Sequence, residues 1–80
     1  MNQDYIDKLI AKDNQAFKKF IAEYENSIIS VMVNILRNRE EVKDCWQKFL
    51  IELPSKLMSY DASRPFRNWL LRVAYRHALK

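Results

Sequence analysis

Glycine is absent from this 80-residue chain, and proline occurs only twice. Glycine supplies the left-handed backbone of tight β-turns, and phosphate-cradling loops are built on it. The composition therefore speaks against a β-sandwich, a Rossmann-like unit and a glycine-rich nucleotide loop, and for helices joined by short polar links. Cysteine occurs once, at Cys45. One thiol forms no internal disulfide, and without a cysteine cluster a structural zinc site is not expected. The apolar runs are short: I-I-S-V-M-V-N-I-L is too broken to span a bilayer. No basic start leads into an apolar signal segment, so the expected setting is cytoplasmic.

What is present suits one small domain over residues 1–80. Apolar residues make up 49% and aromatic residues 12%, enough for a core and too many for a disordered chain. The net charge of +4 is unevenly placed. Residues 1–50 carry eight basic and eight acidic side chains, whereas residues 51–80 carry six basic and two acidic. All the excess positive charge sits in the last 30 residues, which points to a polyanionic partner for that end or to simple solubility.

Apolar spacing predicts about four helices in an all-α bundle. Tyr5, Ile6, Leu9 and Ile10 define the first, over about Asp4–Ala11. Asp13 or Asn14 caps the second, whose stripe is Ala16, Phe17, Phe20, Ile21 and Tyr24 and which continues to about Leu36. Its second half is apolar on several faces, as expected of a central element with more than one neighbour. R-N-R-E-E is a polar break. The third helix covers about Glu40–Leu53, burying Val42, Trp46, Phe49, Leu50 and Leu53. Glu40 and Glu41 lie in its first turn, where the dipole favours them. Pro54 is expected to kink or end it, with Leu57 and Met58 in a last turn beyond. S-Y-D-A-S-R-P is a loop. Pro65 suits the first turn of a fourth helix, with Ser63 as its cap.

On that last helix Phe66, Leu70, Val73 and His77 gather on one side and read as core. Trp69, Arg72, Arg76 and Lys80 gather beside them, with Arg64 and Arg67 at the helix entrance. Guanidinium groups pair with phosphates through a rigid donor fork, and aromatic rings stack on unpaired bases. Such a stripe suits single-stranded or locally opened nucleic acid. It also suits an ordinary solvated face, with Trp69 in the core and Tyr75 either structural or at the surface. On the third helix Asp44, Gln47 and Ile51 follow one another at spacings of three and four, away from the buried residues, where one partner helix can meet all three.

Three stretches carry a family resemblance: L-I-A-K-D-N-Q-A-F-K-K-F-I-A-E-Y, E-E-V-K-D-C-W-Q-K-F-L-I-E-L and F-R-N-W-L-L-R-V-A-Y-R-H-A-L. In this order they resemble conserved region 2 of the bacterial sigma-70 family, in its small extracytoplasmic-function type. Lys12 stands where that family usually has glycine, Lys48 where glutamate is frequent, Leu50 for the usual Phe, Pro54 where tryptophan is frequent, and Arg76 where asparagine is frequent. The resemblance implies a non-enzymatic transcription initiation domain without cofactor or metal. It implies docking on the clamp helices of the largest β-class subunit of RNA polymerase, here through Asp44, Gln47, Lys48 and Ile51. It implies recognition and melting of the promoter minus-ten element, chiefly its non-template strand. Ser59, Tyr60, Arg64, Arg67, Asn68, Trp69, Arg72, Tyr75, Arg76 and Lys80 are the DNA-binding candidates. An anti-sigma factor is a further partner class, and the region 4 helix-turn-helix domain is not found in these residues. The alternative is a small helical adaptor whose basic face contacts protein.

Other chemistry finds little support. His77 has no second histidine near it, and its place on the packed side predicts a core or capping role. Cys45 lacks a neighbouring histidine and reads as buried. Glu40 and Asp44 form a carboxylate pair at i,i+4, but nothing implies the pocket an enzyme needs. Asp4, Asp7 and Asp13 lack the dense oxygen ligands of an EF-hand loop.

Overall fold

Asp13 closes one helix and opens the next. The structure is a computed structural model that describes residues 3–79. It places α1 at Gln3–Ile10, α2 at Asn14–Leu36, α3 at Arg39–Leu57 and α4 at Phe66–Leu79. After α1, Lys12 donates its amide to the Leu9 carbonyl and Asp13 to that of Lys8, at 3.0 and 2.9 Å. That pattern satisfies carbonyls left over at the helix end, and it needs a left-handed residue. Lys12 supplies it with φ of 64°. The Asp13 carboxylate then accepts the Ala16 amide at 2.9 Å and caps α2. The second link repeats the device: Arg37 is left-handed with φ of 57°, and Asn38 caps α3 by accepting the Glu41 amide at 3.0 Å. The chain thus turns sharply twice without glycine.

The four helices bury one common core. Leu9, Phe20, Ile28, Met32, Phe49, Leu53 and Leu70 are fully enclosed and come from all four. Helix α2 packs against each of the others, which explains why its second half is apolar on several sides. The expected all-α bundle of four helices forms, and no strand occurs among the described residues. Cys45 is buried; burial raises its thiol pKa, Asp44 adds to that, and Lys48 acts against it. His77 is buried too. Its ring meets the Phe49 ring edge-on at 5.5 Å, and its Nε2 lies 3.5 Å from Glu52 Oε1.

Two expectations need correction, the end of α3 and the cap of α4. Helix α3 does not end at Leu53 but runs through Pro54 to Leu57. Pro54 cannot donate to the Leu50 carbonyl, a defect of about 3 kcal/mol in a helix interior. Burying one leucine side chain returns about 1.5–3 kcal/mol, and both Leu57 and Pro54 are buried beyond the defect. Tertiary burial therefore carries the helix through. After it, the amides of Met58, Ser59 and Tyr60 each bond three residues back, a tightening that closes the element. Helix α4 begins where expected, with the Pro65 carbonyl accepting the Trp69 amide at 3.1 Å as the first bond of its ladder; the second correction is its cap. Ser63 does not cap the helix: it stands two residues ahead of Pro65, whose carbonyl starts the helical ladder, and it is folded back onto Asp61, to which its hydroxyl and its amide both donate.

Candidate nucleic-acid interface

Asp61 organises the loop between α3 and α4. Its Oδ1 accepts the Ser63 amide at 2.9 Å and the Ser63 hydroxyl at 2.8 Å, and its carbonyl accepts the Arg64 amide at 3.0 Å. An aspartate bonding two residues ahead mimics a backbone turn. The two Ser63 bonds, and then the nearby Arg64 charge, hold the Asp61 carboxyl below the usual aspartate range. Tyr60 closes the same segment from the other side: its hydroxyl donates to the Arg64 carbonyl. The Tyr60 ring packs on Trp69 at 5.0 Å and edge-on against Phe66 at 5.4 Å. Phe66 in turn meets Tyr24 of α2 at 5.7 Å, so the loop is joined to the core through a chain of rings.

This arrangement borders a groove of about 310 Å³ lined by Arg64, Pro65, Asn68, Trp69, Arg72 and Arg76. Five of the ten DNA-binding candidates, Arg64, Asn68, Trp69, Arg72 and Arg76, thus meet on one surface. Three guanidinium groups, one side-chain amide and one indole line it, and no carboxylate does. Trp69 is half-buried, with Phe66 at 6.0 Å as well as Tyr60 beside it. It is neither a core residue nor a free surface ring, and its packing keeps the indole at the groove wall. The chemistry on offer is phosphate pairing, ring stacking and one group that can both donate to and accept from a base edge.

The other candidates lie elsewhere. Arg67 is turned to the α2 flank, where its Nη2 donates to Ser27 Oγ at 3.1 Å, away from the groove-lining residues. Ser59 gives its hydroxyl to the Lys56 carbonyl at 2.9 Å. Tyr75 is exposed but does not line the groove. Lys80 falls outside the described residues.

Asp44, Gln47, Lys48 and Ile51 are all exposed on α3. Asp44 and Lys48 form an ion pair at 3.1 Å. Ile51 is 75% exposed, and so is Met58, seven residues further on at the C-cap of α3. Both apolar side chains are open to a partner on the side of α3 that carries Asp44 and Gln47 or just beyond its end. The sequence places Met58 in a last turn beyond Pro54, and its spacing of seven from Ile51 is the signal that sets both on one side. A groove of about 540 Å³, larger than the arginine-lined one, runs beside this face. Its walls include Glu41, Asp44 and Glu52 against one cation, Lys48, so it repels a phosphate strand. Among the described residues, no group of three His, Cys, Asp or Glu side chains is placed to hold a metal ion, and no helix is long and apolar enough to cross a membrane.

No match was found among curated proteins or among solved structures. A family model does match: sigma-70 region 2, over residues 20–80. The matched span takes in most of α2 and all of α3, the Asp61 loop and α4, so the arginine-lined groove and the exposed α3 face both lie within it. With three-quarters of its length under that model, the chain belongs to the sigma-70 region 2 family, a non-enzymatic module of transcription initiation that works with RNA polymerase core and promoter DNA.

Proposed function

We propose that this domain docks on the clamp helices of the largest β-class polymerase subunit through α3 and holds the non-template minus-ten strand in the arginine-lined groove. Asp44 and Gln47 supply acceptors and a donor to a cationic partner surface, while Ile51 and Met58 supply apolar contact. Arg64, Arg72 and Arg76 hold phosphates, Trp69 offers a ring for stacking, and Asn68 reads a base edge. Stacking returns about 1–3 kcal/mol per base, comparable to the few kcal/mol needed to open a step. A domain that binds the opened strand therefore favours melting without any chemistry of its own.

The observation that carries this reading is the groove's lining: three guanidinium groups, an amide and an indole, with no opposing carboxylate. The test is a panel of single-stranded minus-ten variants bound to the wild type, Asn68→Ala and Arg72→Ala. Asn68→Ala is expected to narrow the gap between the best and worst oligonucleotide, and Arg72→Ala to lower all affinities by a similar factor. If Arg72→Ala erases the preference and Asn68→Ala leaves it whole, reading and holding belong to other residues.

A further inference from the structure

We infer that Tyr60 is a positioning residue that sets where the Arg64 guanidinium stands in the groove and does not itself touch the strand. The inference rests on the reading of that groove as a strand-binding site. Its basis is the way both backbone polar groups of Arg64 are committed. The Arg64 amide donates to the Asp61 carbonyl at 3.0 Å, and the Arg64 carbonyl receives the Tyr60 hydroxyl. Tyr60 is in turn fixed at both ends. Its amide bonds the Leu57 carbonyl at 3.1 Å, at the close of α3, and its ring packs on Trp69 and Phe66. The hydroxyl's single proton is already given to a carbonyl, so it is not available to a base or a phosphate.

Arg64 needs such a hold more than its neighbours do. Arg72 and Arg76 project from a helix, whereas Arg64 sits in the loop, on an exposed residue ahead of α4. A cation on an untethered loop must be ordered when the strand arrives, and that ordering weakens binding. Closing the turn beforehand, through Asp61 on one side and Tyr60 on the other, removes the backbone part of that cost. The same bond makes Arg64 report on the end of α3, because Tyr60 is the residue that joins the two.

The experiment measures binding of a single-stranded minus-ten oligonucleotide, together with thermal stability, for Tyr60→Phe in the wild-type chain and in an Arg64→Ala chain. Arg64→Ala keeps the carbonyl that Tyr60 bonds and removes only the guanidinium. The expected loss of affinity on Tyr60→Phe is roughly three- to tenfold in the wild-type background, the range for one net hydrogen bond. In the Arg64→Ala background it is less than about twofold, since the group being positioned is gone. The drop in melting temperature is the same in both backgrounds, which separates positioning from a general loss of stability. Equal affinity losses in the two backgrounds, or none in either, overturn the inference. Should Tyr60→Phe fold too poorly to assay, Tyr60→Leu, which also removes the hydroxyl, is measured in the same two backgrounds with the same expectation. If the wild type binds no single strand at all, the strand-binding reading fails first, and this inference with it.

Discussion

Removing a single groove arginine should change how binding responds to salt, and only for the arginines that line the groove. Each phosphate neutralised on a single strand contributes about 0.7 to the slope of log affinity against log salt. Three guanidinium groups, Arg64, Arg72 and Arg76, line the groove. If each holds one phosphate, the slope is roughly 2, and affinity falls roughly 18-fold when salt rises fourfold. Arg72→Ala leaves two such contacts, a slope of about 1.4 and a roughly sevenfold fall over the same range. Arg67 provides an internal control. It has the same side chain on the same helix, but its guanidinium is held by Ser27 on the α2 flank. Arg67→Ala should leave the slope where it was. Fluorescence anisotropy of a labelled minus-ten oligonucleotide across a salt series measures all three slopes. The reasoning is refuted if Arg67→Ala flattens the slope as much as Arg72→Ala does, or if the wild-type slope is zero.

Two further outcomes test other parts of the molecule. Asp44→Ala should weaken polymerase binding while helix content stays unchanged: the pair with Lys48 is exposed and contributes at most about 1 kcal/mol to folding, whereas a charged contact buried on docking is worth about 2–5 kcal/mol. A pull-down with unaltered polymerase affinity would remove Asp44 from the docking face. Lys12→Gly should stabilise the fold by about 0.5–1 kcal/mol, because Lys12 holds a left-handed conformation that glycine adopts freely. In a domain of this size that is a rise of roughly 2–8 °C in melting temperature, and a fall would show that the unfolded-state freedom of glycine outweighs the relieved strain.

Helix existence was legible because burial leaves a period. Ile6 and Leu9, Ala16 and Phe20, Phe49 and Leu53, and Leu70 and Val73 mark the inner sides of the four helices, and each pair is buried. Asp13 was legible as a cap because a short carboxylate ahead of an apolar stripe has one local use. Asn38 went unremarked within a polar break, although it caps α3 by the same means. The misjudged positions share a cause. At Pro54 the local cost is plain in the sequence, but the compensating burial of Leu57 depends on helices far away in the chain. Ser63 resembles a cap until the ladder of α4 is seen to start at Pro65, two residues beyond it, with Ser63 turned onto Asp61. Arg67 and Arg64 look equivalent at the entrance to α4. A helical wheel gives the direction of Arg67 but not the partner waiting there, Ser27, on a helix that the chain visited 40 residues earlier. The groove was legible as a list of residue types, and its membership only in three dimensions.

The geometry also bears on why one small domain can serve two large partners. Helix α3 presents Asp44, Gln47 and Ile51 along its exposed side and then continues through Pro54 into the turn that ends at Tyr60. Tyr60 packs on Trp69 and bonds Arg64, both of which line the groove. The surface proposed to meet polymerase lies on α3 and the surface proposed to meet DNA on the following loop and α4, and Tyr60 in the closing turn of α3 touches both Trp69 and Arg64 of the second. Pro54 lies between the two surfaces along the chain, where the helix lacks one hydrogen bond and is locally weakest. What keeps that point from acting as a hinge is packing: Leu53, Pro54 and Leu57 are all buried, and a close-packed interior resists small displacements. A domain without this burial would dock and read through two loosely joined pieces. With it, α3 and its closing turn pack as one body against the start of α4, where Tyr60 meets Phe66 and Trp69.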